Sequence, residues 1–193
     1  MKHKKPLLLI ALLGALAGLM LAAYPALARR NAVSRGEAMS LLHAWTTGRN
    51  AVRLNEGIGA GQFDANFADV ALPPFASFDG KHYCADDHVL SALAWYNTTA
   101  DNYQDAKASL DTVTQTIIID GQPYDTIRTP VRRAEQSTFG GVVHGFSEGV
   151  ILAPGDLSPG MHSLDVPVYF DGVLIVTLSI SFYIDASGTG VCL

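Results

Sequence analysis

Charge is scarce in this chain of 193 residues. Only 16% of positions are charged, and the thirteen lysines and arginines are outnumbered by eighteen acids, for a net charge of −5. A face that binds nucleic acid needs a basic surplus, so the balance argues against that class of partner. Low charge combined with 49% hydrophobic residues also excludes a chain that cannot afford a core. Glycine-rich phosphate loops are absent. Glutamate is rare, and Glu135 and Glu148 are the only two in the C-terminal half. A paired-carboxylate glycosidase would therefore have to recruit aspartates from turns. There are two cysteines, too few for a cysteine-rich metal module. A chain of this length buries a full core as one domain, or as one domain with an appendage.

The long apolar run that is present lies at the start. Lys2, Lys4 and Lys5 precede an unbroken apolar stretch over residues 7–24, followed by Pro25 and Ala26-Leu27-Ala28. Basic head, apolar middle and small-x-small exit are the parts of a secretory signal peptide, with cleavage expected after Ala28. The alternative is an uncleaved anchor that tethers the protein to a membrane, because eighteen residues nearly span a bilayer. Cleavage would take three basic residues and no acid, so the net charge would fall from −5 to −8. That acidity serves solubility and names no partner.

In an oxidising compartment, Cys84 and Cys192 read as a disulfide that closes most of the remaining chain into one loop. The competing reading is a reactive or metal-binding thiol, which would want a neighbouring cysteine or a positioned histidine. Only His82 and His88 lie close in sequence to Cys84.

The chain changes character near residue 80. Upstream, Ser34 and Glu37 form a capping box ahead of Ala38, Leu41, Leu42 and Trp45 at helical spacing, with Gly48 as a stop. Residues 49–80 are punctuated by Gly57, Gly59, Gly61, Pro73, Pro74 and Gly80, with Phe63, Phe67, Phe75 and Phe78 between. That stretch is expected either to dock its aromatics on a larger body or to stay partly irregular.

Downstream the hydrophobic period becomes two. Over residues 173–184 the even positions Leu174, Val176, Leu178, Ile180, Phe182 and Ile184 are all apolar, predicting a strand buried on one face throughout. His162, Leu164, Val166, Val168 and Phe170 alternate before it, and Asp171-Gly172 joins the two runs, which is a strong hairpin signal. A second Asp-Gly pair, 120–121, follows the β-branched run 113–119 and points toward Tyr124 and Ile127. Residues 142–152 form a further candidate strand, with Gly145 and Gly149 as marks of bulges. Residues 88–96 suit either a helix capped by Asp86 and Asp87 or a buried strand through Val89, Leu93 and Trp95. Residues 99–110 predict a short helix capped by Thr99.

Short strands with turn signals about every ten residues suggest an antiparallel sandwich. Within it, Leu157-Ser158-Pro159-Gly160-Met161-His162-Ser163-Leu164 resembles the L-x-P-G-x-H-x-L entry to a strand found in many bacterial immunoglobulin-like extracellular domains. The resemblance implies a mainly β, immunoglobulin-like sandwich with a short N-terminal helix and a small inserted helix. Organised this way, the chain is a signal peptide (1–28), a helix with an irregular segment (29–80) and the sandwich (81–193). Domains of that kind serve adhesion, spacing or recognition, so the expected role is a secreted, non-enzymatic module. Its ligand would be a protein, glycan or surface, with no cofactor and no stable membrane span after cleavage. Trp95, Tyr96 and Tyr183 are the candidate contact aromatics.

Catalytic readings compete with this one. Gly145-Phe146-Ser147-Glu148-Gly149 matches the G-x-S-x-G nucleophile elbow, with Asp156 and His162 following in hydrolase order. Yet 150–155 ends in a proline and has strand character, where an elbow needs a helix. The runner-up is accordingly a small secreted hydrolase whose site the sequence does not display. His82, Asp86, Asp87 and His88 cluster within seven residues, but their spacing fits no helix-face zinc motif. Asn97-Thr98-Thr99 has the form of a glycosylation sequon. Arg128, Arg132 and Arg133 around Pro130 read as a small basic patch answering nearby acids.

Overall fold

The computed structural model describes residues 34–46, 58, 61–64, 78–136, 141–190 and 192. The signal-peptide reading (1–28) and most of the irregular segment 49–80 lie outside these.

The element order is α1 (Arg35–Thr46), β1 (Gly61–Asp64), β2 (Lys81–Cys84), β3 (Val89–Asn97), α2 (Tyr103–Asp111), β4 (Val113–Gln115) and β5 (Ile117–Ile119). There follow β6 (Gln122–Tyr124), β7 (Ile127–Arg128), β8 (Arg132–Gln136), β9 (Gly141–Leu152), β10 (Gly160–Phe170) and β11 (Val173–Asp185). The strands form two sheets, as a sandwich requires. One runs β2-β11-β10-β5-β6, with β4 also paired to β10; the other runs β1-β3-β9-β7, with β8 also paired to β9. The broken strands β4/β5 and β7/β8 thus each occupy one lane beside a long, unbroken neighbour.

The Asp-Gly pairs at 120–121 and 171–172 make two-residue hairpin turns. Asp120 and Gly121 have φ of 51° and 74°, and Asp171 and Gly172 have 50° and 75°. Positive φ at both central positions is the type I′ turn, whose twist matches that of the flanking strands. Leu164, Val166 and Val168 from β10 and Leu178, Ile180 and Phe182 from β11 then point inward to meet Leu93, Trp95, Phe146 and Val150 of the opposite sheet.

Residues 88–96 resolve as strand rather than helix. All nine residues of β3 are buried, because β3 has a neighbour on each side and cover on each face. One set, Val89, Leu93 and Trp95, enters the main core. Of the other set, Leu90 and Ala92 pack under Ala38 and Leu42 of α1, while Ala94 and Tyr96 meet Ala134 and Val143. A strand buried on both faces shows no alternation, which is why periodicity left it ambiguous. Helix α1 therefore covers the outer face of the second sheet, and β1 extends that sheet in parallel with β3.

Three local expectations are corrected. Helix α2 begins later than residue 99, because Asn102 rather than Thr99 is its cap: Asn102 Oδ1 accepts from the amides of Gln104 (2.9 Å) and Asp105 (3.0 Å). Gly145 and Gly149 mark no bulge, since the β3–β9 register is continuous from Val89↔Leu152 to Asn97↔His144. The bulge lies elsewhere, in the β10–β11 hairpin, where the register shifts between Val168 and Tyr169. Beyond it the apolar face of β11 is not buried throughout: Leu174 is 51% exposed and Val176 only partly covered.

The first and last parts of the β region are tied together. Cys84 and Cys192 form a disulfide across a sequence separation of 108, with Cα atoms 5.4 Å apart. Strand β2 runs parallel to the end of β11. Just before it, Asp79 Oδ1 accepts from both the amide (2.8 Å) and the hydroxyl (3.0 Å) of Ser181. These bonds hold the Asp79 carboxyl below its ordinary value.

Candidate functional site

The G-x-S-x-G segment lies in the middle of β9, with no turn near it. Ser147 is fully buried; its amide donates to Thr129 Oγ1 (2.9 Å), and its carbonyl accepts from the Thr129 amide (2.8 Å). The two glycines are there for space. A Cβ on Gly145 would fall 2.4 Å from the Tyr96 ring, and one on Gly149 would fall 2.3 Å from Ala92 Cβ. Both sit directly opposite those β3 residues in the antiparallel ladder, so the motif is explained by packing.

The other members of that candidate triad are engaged elsewhere. Asp156 Oδ2 accepts from the Ala153 amide (2.7 Å) in the turn after β9. His162 is buried, stacked on Phe182 with 5.4 Å between ring centroids. Its Nδ1 lies 2.6 Å from Asp120 Oδ2, and its Nε2 donates to the Ser158 carbonyl (2.7 Å). His162 thereby pins the Asp120 turn to the Pro159-Gly160 entry of β10. Burial opposes the charge on Asp120, but the bonds from His162 and the Ser163 amide outweigh it and hold that carboxyl below its ordinary value.

The cluster His82, Asp86, Asp87 and His88 is spread out by the β2–β3 turn. His82 Nδ1 sits 3.0 Å from both carboxylate oxygens of Asp185, and Asp86 accepts from the Ser187 hydroxyl. His88 is exposed. Among the described residues no three histidine, cysteine or acidic side chains converge as metal ligands.

The three candidate aromatics are not brought to one surface. Trp95 and Tyr96 are 1% and 0% exposed, on opposite faces of β3. The Trp95 indole N–H crosses the sandwich to Gln115 Oε1 (2.9 Å), and Gln115 Nε2 returns a bond to the Glu148 carbonyl (3.0 Å). Tyr183 alone reaches solvent, on the outer face of β11, stacked on His82 at 4.7 Å with rings 10° from parallel. Asn97 is buried too, its Oδ1 accepting from the amides of Thr99 (3.1 Å) and Ala100 (2.8 Å), so the sequon serves as a turn.

Sequence reasoning missed a semi-buried ionic group. Arg128 leaves the expected basic patch and lies 3.5 Å over the Phe146 ring. Its guanidinium donates to the carbonyls of Val113 (2.5 Å) and Leu110 (2.7 Å) and faces Glu148 at 3.7 Å. It thus closes the C-terminal end of α2, where unpaired carbonyls collect. Thr126 donates to Glu148 Oε1 (2.6 Å). Burial raises the Glu148 carboxyl above its ordinary value, against the pull of Thr126 and Arg128. Nothing in the local sequence marks Arg128 as different from Arg132 and Arg133; only the lane of β7 beside β9 does.

A second missed feature is the tip of the β10–β11 hairpin. Val173, Leu174 and Ile175 are consecutive, apolar and 62%, 51% and 45% exposed. By contrast, the pocket beside the disulfide, lined by Cys84, Val89, Leu152, Leu157 and Ile184 among others, holds about 10 Å3, room for one water at most. Among the described residues no helix is long and apolar enough to cross a membrane. Comparison with protein-family models and with curated proteins finds no match to this chain.

Proposed function

We propose that this chain is an exported, immunoglobulin-like recognition module that makes its contacts through the β10–β11 hairpin. The observation that carries the reading is the run Val173-Leu174-Ile175, exposed beside a type I′ turn on a protein whose acids outnumber its bases. Consecutive exposed apolar residues at a protruding tip are costly to solubility and mark contact sites. The strand order supports the fold assignment. In the immunoglobulin arrangement strands B, E and D share one sheet and C, F and G the other; here β3, β9 and β7/β8 pair in that sequence, as do β4/β5, β10 and β11. The disulfide supports an oxidising compartment.

The test sets recognition against catalysis. The purified protein, with Ser147→Ala, His82→Ala and His88→Ala variants, is assayed on ester, peptide and glycoside panels. The wild type and Leu174→Asp are compared on glycan and protein arrays. The expected result is array binding that Leu174→Asp removes, and no turnover that any of the three alanine variants abolishes. Turnover lost in one of those variants would overturn the reading in favour of a hydrolase.

A further inference from the structure

Asp-Gly pairs stand at 79–80, 120–121 and 171–172. At such a pair a chain can modify itself with water alone. The glycine nitrogen attacks the carboxyl carbon of the preceding aspartate, an approach that no glycine side chain obstructs. The nitrogen's proton and the carboxyl's hydroxyl leave together as water, and a five-membered succinimide remains. Water then reopens the ring. Opening at the side-chain carbonyl restores aspartate. Opening at the main-chain carbonyl leaves the chain running through the side-chain carbonyl, which is isoaspartate. The mass is unchanged, and no oxidant or cofactor takes part.

Two of the three carboxylates are held away from that path. Asp79 Oδ1 accepts from the amide (2.8 Å) and the hydroxyl (3.0 Å) of Ser181. Asp120 is engaged on both oxygens: Oδ1 accepts from the Ser163 amide (2.9 Å), and Oδ2 lies 2.6 Å from His162 Nδ1. Asp171 is exposed, and its carboxylate has no bonded partner among the described residues.

Asp120 and Asp171 form a matched pair. Both open a type I′ turn, with φ of 51° and 50°, and the glycines that follow have 74° and 75°. Each also donates its own amide to a carbonyl across the sheet, Asp120 to Ser163 (3.1 Å) and Asp171 to Thr112 (3.2 Å). The cost of twisting the backbone toward ring closure is therefore common to both. The grip on the carboxylate is what differs.

We infer that Asp171 is a modification site, converted slowly to isoaspartate in the folded protein, and that the product remodels the tip of the β10–β11 hairpin. A two-residue turn has no slack. Isoaspartate adds one methylene to its backbone, and the pair Phe170↔Val173 closes directly on the turn. The type I′ form also needs a positive φ at each of its two central residues, which the altered linkage no longer supplies. The exposed run Val173-Leu174-Ile175 follows at once, so its presentation shifts while the ladder beyond the bulge, from Val168↔Val176 onward, keeps its register. The inference concerns the chemistry of the turn and holds whatever the hairpin contacts.

The purified protein is kept in warm, near-neutral buffer, sampled over weeks and digested. Isoaspartyl methyltransferase with labelled S-adenosylmethionine counts the product, and electron-transfer fragmentation places it. Conversion at Asp171 should run about tenfold or more ahead of Asp120, because freeing the Asp120 carboxylate breaks charge-assisted hydrogen bonds and a tenfold rate is about 1.4 kcal/mol of barrier. In concentrated urea the three sites should convert alike. Hydrogen exchange of the aged protein should quicken at the Asp171 amide, which bonds the Thr112 carbonyl in the unmodified turn, and stay unchanged in the ladder beyond the bulge. No isoaspartate at Asp171, equal rates at Asp171 and Asp120 in the folded protein, or a contrast that persists in urea overturns the assignment of the site. Isoaspartate at Asp171 with unaltered exchange at its amide overturns the remodelling.

Discussion

Gly149→Ala tests whether the G-x-S-x-G segment is a strand or an elbow. An alanine there would place its Cβ 2.3 Å from Ala92 Cβ, 2.5 Å from the Ser91 carbonyl oxygen and 2.7 Å from Ala92 Cα. Carbon atoms rest about 3.5–4.0 Å apart, so the overlap exceeds an ångström, and two of the three atoms are backbone of the fully buried β3. No rotamer relieves it; the two strands must separate. Overpacking of this kind costs about 1–3 kcal/mol, with rigid surroundings at the upper end. The ordinary gain from replacing a strand glycine, about 0.5–1 kcal/mol, offsets part of that. The net expectation is a loss of about 2 kcal/mol, a fall of about 4–8 °C in melting temperature for a domain of this size. Gly36→Ala is the internal control: it lies in α1, has ordinary φ, and meets nothing within 4 Å. It should stabilise by about 0.5–1 kcal/mol. Thermal and urea unfolding of both variants measure the contrast. If Gly149→Ala melts with the wild type, β3 does not lie against Gly149 of β9, and the serine hydrolase reading regains its footing.

Replacing Cys84 and Cys192 together by Ser opens a loop with a separation of 108 residues, worth about 4–5 kcal/mol on a chain-entropy estimate. Urea titration should show a large drop in midpoint, while the β2–β11 pairing keeps far-ultraviolet circular dichroism near wild type. The Tyr83 hydroxyl is buried and meets no partner among the described residues, and burial pushes its pKa up to about 12. Tyr83→Phe should therefore stabilise by about 1 kcal/mol, and a lower melting temperature would reveal a bond the geometry does not contain. Asp120 titrates below its ordinary value in the folded state, so its contribution is complete above the unfolded pKa of about 4 and is lost as pH falls through the lower folded value. Asp120→Asn should lower stability at neutral pH and flatten the acid limb below about pH 4; an unchanged slope there would disprove the linkage.

What the sequence made legible followed from local rules. Both Asp-Gly turns, the long alternating runs into β10 and β11, the disulfide and the N-terminal helix each depend on neighbours within a few residues or on a count of cysteines. What it hid depended on distance. Strand β3 shows no alternation because α1 and β8 lie over one of its faces and the opposite sheet over the other. Arg128 was indistinguishable from Arg132 until β7 placed it over Phe146 and under the end of α2. Trp95 and Tyr96 suit a surface or a core equally by sequence, and only the opposite sheet, for Trp95, and strand β8, for Tyr96, place them in the core.

The same distinction bears on where function resides. Of the side chains that resembled catalytic or ligating sets, Asp156, His162, His82 and Asp86 each bond a partner that ties a turn or strand of the fold, while Ser147 is fully buried in β9 and engages Thr129 through its backbone. The run Val173-Leu174-Ile175 is different: the fold gains nothing from leaving three apolar side chains in water, and a type I′ turn needs only Asp171 and Gly172. A feature that costs solubility without contributing to packing calls for an explanation outside the folded chain. The exposed run therefore directs the search for a partner to this hairpin rather than to the buried serine.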